Sequence, residues 1–257
     1  MSEQNSMNEP LAKPRILSES EKNAIRSRLQ GSDLDVHNLA NEFDCSWSQI
    51  AGFKAFLKKT TMGKQRRTGD EHFHTDGVTL NVTLLEFWQW VDSDLVSNTV
   101  RGRLAEYLVA HDLGIADGIR SEWIAYDLTS KNGTKVEVKS AAYVQTWAQR
   151  RPSQIYFDIR PTLGWDPDTA KFGDVQKRQA EVYVFALLSE KDESKLDSMN
   201  VSHWRFFVLP TGVLDGVCPY QKKIGLKRLL TLKPEEVSFG AISAAVERAS
   251  KTGANTL

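Results

Sequence analysis

The spacing of apolar residues changes at Gly114, and this change limits the fold more than any other feature of the sequence. Ahead of Gly114, helical spacing predicts two helices, from about 83 to 96 and from 98 or 99 to about 113, with Gly114 as the C-terminal cap. Beyond Gly114, apolar and polar residues alternate, which is typical of strands. The predicted strands are 123–128, 135–140, 155–159, 182–188 and 204–209, and a closing helix is predicted from about 239 to 249. Helices on either side of a mixed sheet indicate an α/β fold.

The second predicted strand carries two charged side chains on one face. Its sequence from 134 to 140 reads Thr-Lys-Val-Glu-Val-Lys-Ser. Because successive side chains of a strand point to opposite faces, Val136 and Val138 are predicted to face a core. Glu137 and Lys139 then share the other face.

The turn ahead of this strand decides which side chain lies opposite Glu137. Residues 130–133 read Ser-Lys-Asn-Gly, a strong hairpin signal. A two-residue Asn-Gly loop would set Asp127 opposite Val138, on the wrong face. A three-residue loop with Gly133 in the left-handed region would set Asp127 opposite Glu137. We predict this longer loop, or an equivalent bulge, because it gathers two carboxylates and one lysine.

The chemistry expected of this group is metal-dependent hydrolysis of a phosphodiester. Two carboxylates so close repel each other unless a cation lies between them. Lys139 supplies one positive charge, and a hard divalent cation, Mg²⁺ or Mn²⁺, would supply the rest. Such a metal neutralises phosphoryl oxygens and lowers the pKa of a bound water. Asp127 and Glu137 are the predicted ligands, joined by the carbonyl of Val138, and Lys139 would orient the nucleophile.

These residues resemble a known superfamily of nucleases. Asp127 followed by the Glu137-Val138-Lys139 element is similar to the PD-(D/E)xK, or restriction-endonuclease-like, superfamily, although Tyr126 stands where proline often precedes the acid. The resemblance implies a restriction-endonuclease-like mixed central sheet flanked by helices, with the acid and the E-x-K element on adjacent strands. It implies that Asp127, Glu137 and Lys139 are catalytic.

The same resemblance implies two further site residues. The segment 101–107 looks like the helix that often supplies an additional acidic residue in that superfamily. Glu106 lies on the inward side of this helix, so the resemblance implies that it is a catalytic residue and a metal ligand. Gln154 would have the accessory role of the glutamine that follows E-x-K in some members.

Short helices are predicted ahead of this domain. Ser18 with Glu21, and Ser46 with Gln49, form capping-box patterns at helix starts. Short helices joined by a tight turn are typical of a helix-turn-helix, although they could equally form a packing or dimerisation module. If the module binds DNA, the predicted contacts are Trp47, Ser48, Gln49 and Lys54.

Further nucleic-acid contacts are predicted outside this module. Arg150 and Arg151 follow the charged hairpin and could bind phosphates. Trp165, in a segment interpreted as a polar loop from 161 to 178, could stack on a base or belong to the core. The predicted organisation is a disordered tail at 1–15, a helix-turn-helix-like domain at 16–60, a linker at 61–80 and a nuclease-like domain at 81–257.

The composition places few limits on these interpretations. Lys and Arg residues number 33 and are balanced by 33 Asp and Glu residues, so a nucleic acid would have to be bound by locally placed cations. No apolar run approaches the about 20 residues that span a bilayer, and the polar N-terminus does not have the form of a signal peptide. The cysteines, Cys45 and Cys218, are predicted to be free thiols. We therefore expect a cytoplasmic protein without membrane contact or organic cofactor.

The predicted function is Mg²⁺- or Mn²⁺-dependent endonucleolytic hydrolysis of DNA, assisted by DNA recognition through the N-terminal helical domain. Cleavage of both strands would need two such sites, so a homodimer is a hypothesis. Two alternatives stay open. One is a DNA-binding regulatory or scaffolding protein whose nuclease-like domain is inactive, and the other is a nuclease directed at RNA.

Overall fold

The computed structural model describes residues 17–29, 36–46, 48–52, 54, 65–122, 124–166 and 171–254. The chain divides into two compact units, Met1–Gln65 and Arg66–Leu257. The predicted tail at 1–15 and the predicted DNA contact Trp47 lie outside the described residues. Among the described residues, no helix has the length and apolar content needed to cross a membrane.

The N-terminal unit is helical where it is described. It contains α1 (Glu19–Leu29) and α2 (Val36–Glu42), and residues 48–52 are also helical. Buried apolar side chains join these helices in a small core: Leu17, Ile25, Leu39, Ala40, Cys45 and Ile50.

Both capping boxes predicted for this unit are present. The Ser18 hydroxyl accepts a hydrogen bond from the Glu21 N–H (3.3 Å), and the Ser18 N–H donates to Glu21 Oε2 (2.7 Å). The corresponding distances between Ser46 and Gln49 are 3.4 and 3.2 Å. Each box satisfies main-chain donors that the first turn of a helix leaves unpaired, which confirms the predicted helix starts.

The larger unit begins with a hairpin and a capped helix. Strands β1 (His72–Thr75) and β2 (Val78–Thr83) pair within the segment that was interpreted as a linker. Helix α3 (Leu84–Asp92) follows directly, and Thr83 and Glu86 form its capping box. The predicted helix start near Thr83 is therefore confirmed, but the helix ends at Asp92 and does not reach residue 96 as predicted.

The next helix, α4 (Asn98–Asp112), carries the predicted Glu106. Its N-terminus is capped by Ser97, whose hydroxyl accepts from the Val100 N–H. At its C-terminus Gly114 adopts φ 65°, and the Gly114 N–H donates to the His111 carbonyl at 3.0 Å. The predicted glycine cap is confirmed, because only this left-handed residue lets the chain turn back on the last helical carbonyls.

Five of the later strands form the central sheet. The elements after α4 are β3 (Leu128–Thr129), β4 (Lys135–Ala142), β5 (Tyr156–Asp158), β6 (Thr162–Asp166), β7 (Lys171–Lys177), β8 (Val182–Leu188), a 3₁₀ turn (Val201–His203), β9 (Trp204–Pro210), α5 (Thr211–Val217), β10 (Lys223–Gly225), α6 (Leu226–Thr231), β11 (Glu235–Val237) and α7 (Ile242–Ala254). The five-stranded sheet has the order β11-β9-β8-β4-β3. Strands β4 and β8 run parallel and the other neighbours run antiparallel. The predicted α/β class with a mixed sheet is confirmed.

Both faces of the central sheet are covered by apolar side chains. On one face, Val136 and Val138 belong to a core shared with α4 and α7. On the other face, residues of β8 and β9 pack against β5, α5, β10 and α6, among them Phe157, Phe185, Phe207, Leu214, Ile224 and Leu229. Val136 and Val138 therefore face a core as predicted, and Glu137 and Lys139 point to the opposite face.

The strand predicted over 123–128 is much shorter than expected. Main-chain pairing in β3 covers only Leu128 and Thr129, and residue 123 lies outside the described residues. The Val138 N–H donates to the side chain of Asp127 at 2.7 Å, instead of to a main-chain carbonyl of the preceding segment. The ladder therefore stops at Leu128, and residues 124–127 form bends.

The interpretation of 161–178 as a polar loop is wrong. Strands β6 and β7 form an antiparallel hairpin in this segment, although residues 167–170 lie outside the described part of the chain. Every residue of β7 is exposed. A strand without a buried face carries no apolar alternation, which is why the sequence pattern did not reveal it.

Candidate active site

The loop between β3 and β4 has the predicted form. The Ser130 N–H donates to the Thr134 carbonyl at 2.9 Å, and residues 131–133 close the turn between them. Gly133 has φ 84°, the left-handed conformation that a three-residue hairpin loop requires. The prediction of a three-residue loop is confirmed.

This loop brings Asp127 close to Glu137. The strand pairing ends with Leu128 opposite Val136, and the Asp127 N–H donates to the Val136 carbonyl at 3.2 Å, so Asp127 is not paired with Glu137 in the ladder. The charge of Glu137 nevertheless acts on Asp127 and raises its pKa, which shows that the two carboxylates are neighbours. The Asp127 carboxylate is held there by the hydrogen bond from the Val138 N–H to its Oδ2. The hairpin thus brings the two carboxylates near each other, and their pairing on one face stays a prediction.

Lys139 neutralises one of these two carboxylates. Its Nζ lies 2.5 Å from Oε1 of Glu137, and both side chains are largely buried. Burial works to lower the pKa of Lys139, but the charges of Glu137 and Asp127 outweigh it and raise this pKa above its usual value. The lysine is therefore an ammonium ion, and it is a hydrogen-bond donor rather than a base.

The surroundings of Asp127 disfavour the ionised form of its carboxyl group. Burial and the neighbouring charge of Glu137 raise the pKa of Asp127 from 3.8 to about 7, although Lys139 acts in the opposite direction. The negative charge of Glu106 adds to this rise. One further positive charge, from a proton or a metal ion, would therefore stabilise this group near neutral pH.

Glu106 lies near this pair but is bound by an arginine. Arg120 donates to both oxygens of the Glu106 carboxylate, with Nε–Oε2 and Nη2–Oε1 distances of 2.5 and 3.1 Å. A further bond joins Arg120 Nη1 to Glu122 at 3.1 Å. Sequence reasoning missed Arg120, because it lies in an irregular segment between α4 and β3, where no periodicity marks a residue as inward-facing.

The carboxylates fit a hard divalent ion such as Mg²⁺. The protein would supply only part of the ligands of that ion. Within the described ranges, no group of three His, Cys, Asp or Glu side chains is arranged to hold a metal ion. Asp127 and Glu137 supply hard oxygen donors, and Glu106 is already paired with Arg120. Mg²⁺ is commonly bound by one or two carboxylates, with water and substrate phosphate completing its shell. The two facing carboxylates satisfy that requirement.

A cavity of about 230 Å³ opens beside Glu137 and Lys139. Its other walls are formed by Ala125, Asp158, Arg160, Thr162, Gln179 and Tyr183. Asp158 and Arg160 form an ion pair, with 2.5 Å between Arg160 Nη2 and Asp158 Oδ2. Burial works to raise the pKa of Asp158, but hydrogen bonds from Arg160 and the charge of Lys139 hold this pKa below its usual value.

A weak sequence signal for this second ion pair exists in the spacing of its residues. Asp158 and Arg160 are spaced two residues apart at the end of a predicted strand, the same spacing as Glu137 and Lys139. That spacing puts both charges on one face of an extended segment. The Asp158-x-Arg160 pattern could therefore have been recognised.

The remaining predicted residues lie outside the walls of this cavity. Arg150 and Arg151 are exposed in the segment between β4 and β5. Gln154 is exposed and accepts a hydrogen bond from the Tyr156 hydroxyl at 3.2 Å. Ser48, Gln49 and Lys54 belong to the N-terminal unit, where Ser48 and Lys54 are exposed and Gln49 is partly buried.

One known family matches this chain. The sequence model described as bacteriophage T4 endonuclease IV matches residues 54–216. The matched segment contains the Asp127–Lys139 hairpin, Glu106 and every residue that lines the cavity. Searches of curated proteins and of solved structures give no match.

Proposed function

The chain belongs to the bacteriophage T4 endonuclease IV family, and from this we propose that it is a divalent-metal-dependent endonuclease that hydrolyses DNA phosphodiesters. The observation that carries the proposal is the pair of neighbouring carboxylates of Asp127 and Glu137, in which Glu137 is bound by Lys139 and the pKa of Asp127 is raised to about 7. A partly buried acidic pair of this kind is suited to a hard divalent cation.

The proposed roles follow from the contacts of each side chain. Asp127 and Glu137 would hold Mg²⁺ or Mn²⁺, and the carbonyl of Val138 remains a proposed ligand. When bound, the metal would neutralise phosphoryl oxygens and acidify a water molecule. Lys139, which keeps its proton on Nζ, would orient the attacking water and stabilise negative charge on the phosphate.

Two arginines complete the proposed site. Arg160 lies on the cavity wall with a half-exposed side chain, so its guanidinium can donate to a non-bridging phosphate oxygen. Arg120 neutralises Glu106 as long as that carboxylate binds no metal ion. Glu106 remains a proposed catalytic residue and metal ligand, and its release from Arg120 is the step that this role would require.

The finer assignments are part of the same proposal. The Asp127, Glu137 and Lys139 set supports membership of the PD-(D/E)xK superfamily and a restriction-endonuclease-like domain. The capped helices of the N-terminal unit support a helix-turn-helix that assists DNA recognition, with exposed Ser48 and Lys54 available to DNA. We extend the proposal to a homodimer, because cleavage of both strands needs two sites.

A second candidate function is favoured by the Glu106–Arg120 pair. A carboxylate that is already neutralised by an arginine adds no donor to a metal site. This supports a DNA-binding regulatory or scaffolding protein whose nuclease-like domain is inactive. The family membership and the retained Asp127, Glu137 and Lys139 set favour the nuclease.

The test is cleavage of plasmid and linear DNA with Mg²⁺ or Mn²⁺, using wild type, Lys139→Ala and Asp127→Ala. Both variants should lose activity by about 100-fold or more, the loss typical of a removed transition-state donor or ligand. Lys195→Ala is the charge-matched control, because Lys195 pairs with Asp192 on the surface. A wild type that binds DNA in EDTA but cuts nothing would instead support the binding protein. A matched RNA in the same assay separates the RNA-directed alternative.

A further inference from the structure

The β6–β7 hairpin is an exposed arm of the larger unit. All seven residues of β7 are exposed, and β6 has no buried residue. The ladder is irregular between Leu163 and Trp165, so the arm contains a bulge. A ribbon without a buried residue contributes little to a core, so its surface is available to a partner.

The far part of this arm carries an aromatic pair. Trp165 lies opposite Phe172, and their ring centroids are 5.0 Å apart in an edge-to-face arrangement. Trp165 is half-buried, whereas Phe172 is 62% exposed. Trp165 therefore supports the ring of Phe172 from one side and leaves the other side of that ring open to a partner.

The near part of the arm belongs to the wall of the candidate active site. Thr162 and Gln179 line the same cavity as Glu137 and Lys139. The side-chain amide of Gln179 donates to the Thr162 carbonyl at 2.7 Å and to the Lys177 carbonyl at 3.1 Å. These two bonds hold the start of β6 next to the end of β7. The arm therefore begins at the wall of the cavity.

We propose that the β6–β7 arm contacts the nucleic-acid substrate beside the scissile phosphate, with Phe172 packed against a base or sugar. This inference rests on the proposed nuclease function. Phe172 pairs with Trp165, three residues beyond Thr162, which corresponds to about 10 Å along a strand. Nucleotides follow one another at about 3.4 Å along one strand of duplex DNA, so the contact falls about three nucleotides from the reacting phosphate.

The charges of the arm indicate an apolar contact rather than phosphate binding. Lys171 and Lys177 are balanced by Asp166 and Asp174 within the two strands. A contact that neutralises no phosphate releases no counterions, so its contribution to affinity does not depend on salt. Base stacking on an aromatic side chain is a contact of this kind.

The test compares Phe172→Ala with Val175→Ala in the full-length protein. Val175 is a second exposed apolar residue of β7, at 69% exposure, and it lies between Phe172 and Gln176, where the pairing register with β6 shifts. Binding of labelled DNA, two helical turns long, is measured by anisotropy in EDTA, as duplex and as single strand. Phe172→Ala should weaken binding of the preferred form about tenfold at both low and high salt, and Phe172→Trp should restore it. Val175→Ala should bind as wild type does.

Two results would overturn the arm as a substrate contact. One is a Phe172→Ala protein that binds both DNA forms as wild type does, and the other is an equal loss in Val175→Ala. Hydrolysis of bis(p-nitrophenyl) phosphate, a diester without nucleotides, is measured in parallel with Mn²⁺ in the wild type. If the wild type hydrolyses neither this diester nor DNA, the nuclease proposal fails, while a binding loss confined to Phe172→Ala still supports the arm.

Discussion

Arg120 binds both carboxylate oxygens of Glu106, the acidic residue that α4 brings next to Asp127. The arginine therefore supplies, within the protein, the positive charge that a metal would otherwise give to this carboxylate. Glu137 is paired with Lys139, whereas burial and the charge of Glu137 raise the pKa of Asp127 to about 7, so the three acids are neutralised unequally. The acidic group thus contains two carboxylates in ion pairs, Glu106 and Glu137, and a third, Asp127, that is held by the Val138 N–H.

Replacement of Arg120 by Gln should increase the affinity for Mg²⁺. Without the guanidinium, Glu106 is free to contribute its oxygens, and its uncompensated charge makes the site more negative. Titration calorimetry with Mg²⁺ measures the change directly, without any need for catalysis. Arg103→Gln is the charge-matched control, because Arg103 forms ion pairs with Asp92 and Glu122 on the surface. Equal or weaker Mg²⁺ binding by Arg120→Gln would contradict a ligand role for Glu106.

Without metal, the protein should lose stability as the pH rises from about 4 to about 7. In the folded state Asp127 keeps its proton up to about pH 7, whereas the unfolded chain releases it near 3.8. The folded state binds more protons in this window, so the free energy of unfolding falls as pH rises. One pKa unit corresponds to about 1.4 kcal/mol, so the loss reaches at most about 4 kcal/mol.

Asp127→Asn should remove this pH dependence. Asparagine does not titrate, and its side-chain oxygen can still accept from the Val138 N–H. Urea unfolding in EDTA across this pH range measures the slope. Asp192→Asn makes the same chemical change at an exposed carboxylate and should retain the wild-type fall. A variant profile that falls as steeply as that of wild type would exclude Asp127 as its source.

Mg²⁺ should stabilise the folded protein, and more strongly at pH 8 than at pH 6. The metal and the Asp127 proton compete for the same oxygens, so deprotonation favours binding. At a concentration about 100-fold above its Kd, a ligand of the folded state adds about 2.7 kcal/mol to the free energy of unfolding. Thermal unfolding in Mg²⁺, against NaCl of equal ionic strength, measures the effect. Glu137→Gln should abolish it, and a shift that persists in this variant would place the metal elsewhere.

The central hairpin could be predicted because its sequence leaves few choices. The alternation of valines with Glu137 and Lys139 fixes the faces, and Gly133 fixes the loop conformation. Together they bring Asp127 near Glu137 before any tertiary contact is considered, although the bend at Asp127 and its bond to the Val136 carbonyl were not predictable. Helix α4 was predictable for a similar reason, since Gly114 marks where helical spacing ends.

The partners of this hairpin could not be predicted in the same way. Arg120 lies in an irregular segment, and its contact with Glu106 spans 14 residues. The β6–β7 arm buries no face, so no apolar alternation marks its strands. The cavity depends on how β5 packs beside the central sheet, which brings Asp158 towards Lys139 through tertiary structure alone.

Arg160 should contribute more to substrate binding than Arg151, which the sequence favoured as a phosphate contact. Arg160 lies on the wall of the cavity, whereas Arg151 is exposed outside it. Loss of a charge-assisted hydrogen bond to phosphate should raise the KM for DNA about tenfold in Arg160→Ala, with a smaller change in kcat.

Steady-state cleavage of a short labelled DNA distinguishes the two arginines. Arg160→Lys should recover part of the loss, because lysine keeps the charge but not the paired donors of arginine. Arg151→Ala should change KM less than Arg160→Ala, and its effect should vanish at high salt, as expected for a distant phosphate contact. A larger loss in Arg151→Ala would mean that the substrate reaches Lys139 from the β4–β5 segment, and not through the cavity that Arg160 lines.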